Sequence, residues 1–251
     1  MTSAADKRAA LRSGMNSGRL QRFPGVFSPL VAKAVADAGF EGVYVSGAAL
    51  SADLELPDIG FTTLTEVASR GAHIAAATEL PTLIDADTGF GAPVNAVRTV
   101  TALEDAGLAG CHLENQVNPK RCGHLDGKDV IPTADMVRLL RAAVSARRDP
   151  DFVICARTDA EAFRAAVDVP MLANMTEFGK SPLLSASQLT DLGCNIVIYP
   201  VTTLRLAMFA VEAGLREIGT TGTQFDLLDR MQHRSRLYEL LGYDVWEVTP
   251  W

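Results

Sequence analysis

The stretch LPTLIDADTG, residues 80–89, decides the fold that we predict for this chain. It starts as a short apolar run and ends in two acids, Asp85 and Asp87. A short, near-continuous apolar run is typical of a strand that is buried on both faces of a parallel sheet. Acids directly after such a strand indicate a functional site at the carboxyl end of the sheet.

The same pattern recurs on both sides of this stretch. We predict six further strands, in RLQRFPGVF (19–27), FEGVYVSG (40–47), AGLAGCHLEN (106–115), DPDFVICARTDA (149–160), VPMLANMTE (169–177) and CNIVIYPV (194–201). Amphipathic stretches separate them, and we predict helices in residues 28–40, 63–77, 93–107, 133–148, 203–214 and 224–241. Alternating strands and helices indicate an α/β fold with a parallel sheet.

The ends of the predicted strands favour a (β/α)8 TIM-type barrel over a doubly wound sheet. Polar residues follow almost every strand, and they include Ser46, His112, Glu114 and Asn174. In such a barrel the active site lies at the carboxyl ends of all the strands. A doubly wound sheet usually carries a glycine-rich G-x-G-x-x-G turn, which we do not find. We therefore predict a single α/β-barrel domain over residues 1–251, with C-terminal helices outside the barrel or on a neighbouring subunit.

Composition limits the partners that we expect. The chain has 251 residues, 48% of them hydrophobic, and a net charge of −7, so a nucleic-acid partner is disfavoured. We see neither a signal peptide nor a membrane span, and we expect no membrane partner. The four cysteines form no C-x-x-C pair, which indicates a reducing cytoplasm rather than a disulfide framework or structural zinc.

Four acids are candidate metal ligands. Asp85 and Asp87 face the same way as their strand enters its loop, Glu114 follows the next strand, and Asp58 lies in the LPDIG loop. Converging carboxylates need a cation among them, and oxygen ligands suit Mg²⁺ or Mn²⁺. For any single acid, a helix cap or a solvated loop position is an equally good interpretation. For the Asp85–Asp87 pair we favour metal binding.

A second set of candidates is cationic. Arg157 ends a predicted strand, and Arg205 and Arg234 lie in the C-terminal helices. A guanidinium group binds a carboxylate through two parallel hydrogen bonds, so these residues favour a small di- or tricarboxylate substrate. For the two helical arginines, a surface salt bridge is the more common role.

The loop NPKRCGHLDGK, residues 118–128, places Cys122 among glycines and cations. Spacing argues against a metal ligand or a disulfide, and the polarity of the loop argues against a buried apolar role. Neighbouring positive charge lowers the pKa of a thiol and eases proton exchange. A nucleophile would need a committed base, which we do not find, so we interpret Cys122 as a proton donor.

Together these motifs resemble the isocitrate lyase/phosphoenolpyruvate mutase superfamily, and most closely its 2-methylisocitrate lyases. The resemblance rests on YVSGAAL, LPDIG, LIDADTGFG, HLENQ, KRCGH, ARTDA, NMTEFG and MQHR, in that order along nearly the whole chain. KRCGH is the most specific of them, because the lyases of the superfamily carry this cysteine and the phosphonomutases do not.

The resemblance implies a Mg²⁺-dependent cleavage of a C–C bond, in which 2-methylisocitrate gives pyruvate and succinate. It implies that Cys122 protonates the succinate carbanion, that Lys120 and His124 tune the thiol, and that this loop closes over the substrate. Tyr44 is a weak candidate for the base. The implied metal set is Asp85 and Asp87 with Asp58 and Glu114 around them, and the implied substrate contacts are Ser46, Gly47, Ala48, Asp85, Gly123, Arg157, Asn174, Thr176, Arg205 and Arg234. The resemblance also implies a homotetramer with exchanged C-terminal helices.

One departure from the superfamily concerns the stretch after ARTDA. The family continues there with a further helix and strand that supply an active-site glutamate, whereas this chain runs directly into EAFRAAVDVPMLANMTE. We count seven plausible strands, so one βα unit of about 30 residues is missing by barrel arithmetic. Either the printed sequence omits this segment near residues 160–161, or the chain lacks it and is a damaged barrel.

Two other kinds of function remain open from the sequence. Sister enzymes that act on isocitrate, 2,3-dimethylmalate or oxaloacetate would share the same motifs, because one methyl group in an apolar pocket contributes only about 1–3 kcal/mol. A non-catalytic binding protein with a lyase-like fold would follow if the deletion is real.

Overall fold

The computed structural model describes residues 2–120, 129–157, 169–179 and 182–243. The strands in these ranges are β1 (Gln21–Val26), β2 (Val43–Val45), β3 (Thr82–Asp85), β4 (Gly110–Glu114), β5 (Val153–Arg157), β6 (Leu172–Asn174) and β7 (Ile196–Tyr199). Each lies within one of the seven predicted stretches, so the strand predictions are confirmed.

The helices of the same ranges are α1 (Ala4–Met15), α2 (Pro29–Asp37), α3 (Gly47–Asp53), α4 (Leu64–Ala76), α5 (Pro93–Asp105), α6 (Thr133–Ala146), α7 (Ala186–Asp191), α8 (Thr202–Thr221) and α9 (Arg234–Leu241). A 3₁₀-helix, Phe225–Arg230, precedes α9. The helix predicted over residues 224–241 is therefore interrupted, because Met231 has an extended conformation. The sequence patterns had not shown α1, α3 or α7.

Helix boundaries follow local chemistry. At α4 the Thr63 side chain accepts a hydrogen bond from the Glu66 backbone N–H, and the Glu66 carboxylate accepts one from the Thr63 N–H. This reciprocal capping box satisfies two of the N–H groups that a helix start leaves without partners. Gly39 follows α2 with φ +76°, a left-handed conformation that glycine adopts without the steric cost of a Cβ.

The described strands form one parallel sheet in the order β5-β4-β3-β2-β1-β7-β6. The sheet is curled as a TIM barrel is, which confirms the predicted α/β-barrel class. Within the described residues no ladder joins the outer strands β5 and β6. Among the described strands, β5 and β6 are therefore the two edges of the sheet, and the sequence predicts the missing βα unit between them.

The core has two main parts. One lies between the sheet and the outer helices, with fully buried residues such as Val26, Ile84 and Leu103. The other lies inside the curl of the sheet, where Phe23 and Leu83 pack with Leu11 of α1. The inner cluster fills the barrel as side-chain layers do in closed barrels.

Helix α1 covers the amino-terminal end of the strands through two buried cations. Lys7 Nζ donates to the carbonyl oxygens of Ala75 and Thr78, at 2.7 and 2.6 Å. Arg8 donates to the carbonyl oxygens of Leu108 and Glu104, at 2.9 and 2.7 Å. Because a buried charge is costly without partners, these hydrogen bonds fix α1 against the ends of two outer helices.

Helix α8 has a different environment. It is 20 residues long, and none of its side chains is buried. Its apolar residues are largely exposed, with Leu206 at 66%, Phe209 at 69% and Leu215 at 64%. Within the described residues no helix is long and apolar enough to cross a membrane.

Candidate active site

The parallel sheet brings the predicted site residues to one edge. Asp85, Glu114, Arg157 and Asn174 are the last residues of β3, β4, β5 and β6, and Ser46 directly follows β2. Because neighbouring strands run the same way, these side chains converge at the carboxyl end of the sheet, as predicted.

A small cavity of about 60 Å³ lies at this edge. Its lining consists of Tyr44, Ser46, Ala48, Asp58, Asp85, Arg157, Asn174, Thr176, Pro200, Val201 and Arg205. Nine of these eleven residues are candidates from the sequence, and they come from both halves of the chain. A larger cavity of about 440 Å³ shares Glu114 with the site and opens between α5 and α6.

Asp58, Asp87 and Glu114, which we call the acid cluster, surround the ammonium group of Lys120. Lys120 Nζ lies 2.7 Å from Asp58 Oδ1 and 3.8 Å from Glu114 Oε1, and it forms an ion pair with Asp87 Oδ1. The side chains of Lys120, Asp87 and Glu114 are almost completely buried. Lys120, predicted as a neighbour of the thiol, therefore contacts the predicted metal ligands.

The oxygens of this cluster fit a divalent cation. Asp87 Oδ1 and Glu114 Oε1 are buried and accept no hydrogen bond from the part of the chain that the structure describes, although Asp87 Oδ1 is close to the Lys120 ammonium. Burial raises the pKa of Asp87 to about 7, with the charge of Asp85 acting in the same direction and Lys120 opposing it. One ammonium group thus does not balance the negative charge, and hard oxygen donors of this kind are what Mg²⁺ and Mn²⁺ prefer.

Within the described residues no three Asp, Glu, His or Cys side chains are already arranged around a common metal position. We attribute this to Lys120, because the carboxylates contact its ammonium group instead of surrounding a shared metal position. The donor set is therefore suitable in chemistry, and a small rearrangement of side chains would be needed for ligation.

Asp85 is held by three donors. His112 Nε2 lies 2.9 Å from Asp85 Oδ1, and the N–H groups of Asp87 and Gly47 donate to its carboxylate at 3.0 and 3.4 Å. Burial raises the pKa of Asp85, but the charge and hydrogen bond of His112, together with Lys120, outweigh it and hold that pKa well below the usual range. Asp85 is therefore a charged carboxylate at neutral pH.

Two backbone features permit this arrangement. A Cβ at Gly47 would lie 2.9 Å from Asp85 Oδ2, so glycine is required for the close approach. Asp87 has φ +49°, in the left-handed region that non-glycine residues enter at a cost and that occurs often at functional sites. The Ser46 side chain accepts a hydrogen bond from the Ala49 N–H at the start of α3.

His112 is a site residue to which the sequence reasoning gave no role. The Tyr44 hydroxyl lies 2.8 Å from His112 Nδ1, the two rings stack at 5.5 Å, and the other ring nitrogen contacts Asp85. His112 is only 2% exposed. The available signal was its position two residues before Glu114, on the same face of a strand.

The cationic candidates do not all lie together. Arg157 NH1 is 3.4 Å from Glu114 Oε2, and both reach the site. Arg205 lines the cavity from α8, where it donates to the Glu177 carbonyl oxygen at 2.6 Å and lies over the Phe178 ring at 5.0 Å. Arg234 is the first residue of α9, is exposed, and does not line the cavity.

At the end of β6, the Thr176 hydroxyl donates to Asn174 Oδ1 at 2.8 Å. These two polar side chains line the cavity together with Asp85 of β3. The remaining sequence candidates, Cys122, Gly123 and His124, lie outside the described residues.

The fold and this edge define an α/β-barrel enzyme with a cluster of acidic residues beside arginines at the carboxyl end of its strands. A family model described as phosphoenolpyruvate phosphomutase matches residues 11–166. A protein named probable 2-methylisocitrate lyase 2, from Corynebacterium glutamicum, is 58% identical over 97% of this chain and 91% of its own length. The 2-methylisocitrate lyase of Aeropyrum pernix is 43% identical over 89% of this chain and 83% of its own length.

Solved structures agree with the sequence relatives. An oxaloacetate acetylhydrolase in complex with 3,3-difluorooxalacetate has a TM-score of 0.86 at 32% identity, covering 96% of this chain and 93% of its own. A phosphonopyruvate hydrolase complex with oxalate and Mg²⁺ has a TM-score of 0.85 at 27% identity, covering 96% and 95%. The chain belongs to the phosphoenolpyruvate mutase/isocitrate lyase superfamily, and its curated relatives above are carbon–carbon lyases.

The alignments also bear on the missing unit. The Corynebacterium alignment spans 278 positions, whereas 97% of this 251-residue chain is about 243 residues, so about 35 positions have no counterpart here. The Escherichia coli 2-methylisocitrate lyase, 38% identical, aligns over 247 positions and 84% of this chain, covering 83% of its own length, which gives a similar difference. A loss of this size agrees with one absent βα unit.

Proposed function

We propose that this chain is a Mg²⁺-dependent lyase that cleaves 2-methylisocitrate to pyruvate and succinate. The observation that carries the proposal is the cavity at the carboxyl edge, which joins acidic residues of the first half of the chain to Asn174, Thr176 and Arg205 of the second. The relatives named 2-methylisocitrate lyase support the choice of substrate.

Substrate binding would use charge complementarity. Arg157 and Arg205 present guanidinium groups to the cavity, and each can bind a carboxylate through two hydrogen bonds. The backbone N–H of Ala48, at the start of α3, would bind the carboxylate that becomes part of pyruvate, with the Ser46 hydroxyl beside it. The Gly47 N–H would join them by exchanging its 3.4 Å contact with Asp85 for one with the substrate. Asn174 and Thr176, which also line the cavity, would hold another carboxylate. We also retain Gly123 and Arg234 as proposed contacts from the resemblance.

The metal would be held by Asp85 and Asp87, with Asp58 and Glu114 around it. When bound, Mg²⁺ would supply positive charge at the 2-hydroxy-carboxylate end of the substrate, where negative charge develops during cleavage. His112 fixes the orientation of the Asp85 carboxylate for this task through its hydrogen bond to Asp85 Oδ1.

Cleavage requires two proton movements. The substrate hydroxyl loses its proton, the C–O bond becomes the ketone of pyruvate, and the electron pair of the broken C–C bond stays on the carbon that becomes part of succinate. That carbon then takes one proton, which we assign to the Cys122 thiol, and we assign to Lys120 and His124 the tuning of its acidity. Burial, with the charge of Asp85, raises the pKa of Tyr44 well above its ordinary value, so Tyr44 keeps its proton and is poorly suited to be the base.

The direct test is a substrate panel with purified protein and Mg²⁺. We expect kcat/KM for pyruvate release from 2-methylisocitrate to exceed kcat/KM for glyoxylate release from isocitrate, pyruvate release from 2,3-dimethylmalate and oxalate release from oxaloacetate. A higher kcat/KM for oxaloacetate or 2,3-dimethylmalate would assign the chain to a sister activity, for which solved relatives exist. No turnover of any substrate by folded protein would favour the non-catalytic alternative.

Intact mass provides a separate prediction about the missing unit. We expect the catalytically active protein to weigh more than the 26.8 kDa of the printed sequence, because no strand of the described residues joins β5 to β6. Mass spectrometry of active protein isolated from its source measures this. Full activity from a 26.8 kDa chain would show that the shortened barrel is sufficient for catalysis.

We further propose that the chain forms a homotetramer in the cytoplasm through exchange of C-terminal helices. Exposed apolar surface of the kind seen on α8 is typical of an interface.

Replacing Phe209 and Leu215 together by glutamate should reduce the assembly to smaller species, as measured by light scattering after size exclusion. A matched change on the same helix, Glu212→Gln, should leave the mass of the assembly unchanged. A wild-type protein that is monomeric at micromolar concentration would contradict the proposal.

A further inference from the structure

One lysine contacts acids from three separate segments of the fold. Asp58 lies in the loop between α3 and α4, Asp87 in the loop after β3, and Glu114 at the end of β4. All three carboxylates face Lys120 Nζ, with Asp58 at 2.7 Å and Glu114 at 3.8 Å. The ammonium group thus lies at the position where the acid cluster converges.

The burial of Lys120 requires this charge environment. Its side chain is 4% exposed, and a buried ammonium group is rare unless it is paired. Burial lowers the pKa of Lys120, but the charges of Asp85, Asp87, Asp58 and Glu114 outweigh this and raise it above the ordinary value. Lys120 is therefore a fixed positive charge, as a bound cation would be.

A divalent cation and this ammonium group would require the same oxygens. An ammonium group is a compact point charge with three donors, so the oxygens that surround it also lie within reach of a small metal ion. Two cations at this spacing would repel each other strongly in a buried site. Binding of one therefore disfavours the presence of the other.

We propose that Lys120 is an internal counter-cation that holds the acid cluster together in the metal-free protein and leaves it when a divalent cation binds. This inference rests on the proposed metal-dependent function, since it concerns the same carboxylates. It makes Lys120 a positioning residue that sets divalent-cation affinity. Only the small fraction of wild-type protein in which the ammonium group has moved away can then bind the divalent cation. The apparent dissociation constant is therefore the intrinsic one divided by that fraction.

The test is titration calorimetry with Mn²⁺ alone, without substrate. For Lys120→Met we expect a Mn²⁺ dissociation constant lower than that of wild type by about tenfold or more, in the range typical of coupled equilibria. Lys120→Arg keeps the charge and should remain closer to wild type. The control is Lys33→Met, on α2, which removes one positive charge outside the acid cluster. It measures how much the change in net charge alone alters the Mn²⁺ dissociation constant.

The outcomes separate this inference from the proposed function. If wild type and Lys120→Met both bind Mn²⁺, but the variant binds with equal or weaker affinity, the counter-cation role is wrong and the metal site stands. If folded protein binds no Mn²⁺ in any form, the metal-dependent function and the inference are both wrong.

A second measurement uses the wild type, in case the methionine variant does not fold. Acetic anhydride labels exposed lysines, and mass spectrometry of peptides reports the extent at Lys120. We expect saturating Mn²⁺ to increase labelling of Lys120 several-fold relative to Lys33. Unchanged protection of Lys120 with Mn²⁺ bound would contradict displacement.

Discussion

Asp85→Asn is expected to lower kcat/KM for 2-methylisocitrate by about a thousandfold or more. Asparagine keeps the shape of the side chain but removes the charge that would hold Mg²⁺. The metal's stabilisation of developing charge amounts to several kcal/mol, and each 1.4 kcal/mol corresponds to about tenfold in rate. The measurement is pyruvate release under initial-rate conditions, with Mn²⁺ titration to show that binding is lost as well.

The fold should survive this change. Asp85 is buried beside Asp87 and Glu114, so removal of its charge relieves repulsion even as it weakens the contact with His112. The control is Asp53→Asn, which breaks a surface ion pair with Arg70 at 2.9 Å and should change activity by no more than about twofold. An Asp85→Asn protein that cleaves at more than a tenth of the wild-type rate would exclude Asp85 as the principal ligand.

Cys122→Ser is expected to reduce turnover by about a hundredfold to ten-thousandfold, the usual contribution of a positioned general acid. A hydroxyl group is a much weaker acid than a thiol, so protonation of the succinate carbanion would become slow. The same thiolate should remove a proton from succinate in the reverse direction. Deuterium incorporation into succinate, in D₂O with Mg²⁺ and pyruvate, should therefore fall in parallel with cleavage.

The matched control for this variant is Cys194→Ser, a partly buried cysteine just before β7 that we expect to be catalytically neutral. Thermal melting of both variants separates loss of chemistry from loss of structure. Wild-type turnover and wild-type exchange in Cys122→Ser would remove the proton-donor assignment, and loss of cleavage with exchange retained would place Cys122 elsewhere in the mechanism.

The sequence predicted the sheet and its active edge because both depend on local patterns. An apolar run followed by Asp85, Glu114 or Asn174 is visible within ten residues, and parallel pairing then brings these ends together. The absence of a strand that joins β5 to β6 among the described residues also agrees with the count of seven strands in the sequence. Each of these patterns is determined by residues that are close together in the sequence.

Contacts between distant segments were not predictable in the same way. Nothing near Lys120 in the sequence identifies Asp58 as its partner, because the two are joined only through the packing of their loops. His112 likewise has its role from Tyr44 and Asp85, which lie on two other strands. We interpreted Lys120 as a neighbour of the thiol, and the structure shows in addition its contact with the carboxylates.

The cations of α1 have a consequence for how this protein can be shortened. The family match begins at residue 11, within α1 (Ala4–Met15), and ends at residue 166, before β6. A chain trimmed to that match would lose Lys7 and Arg8, whose hydrogen bonds hold α1 to the carbonyl groups of residues 75, 78, 104 and 108. It would also lose β7, which pairs with β1. The residues that match the family model are therefore fewer than the residues that fold as one cooperative unit.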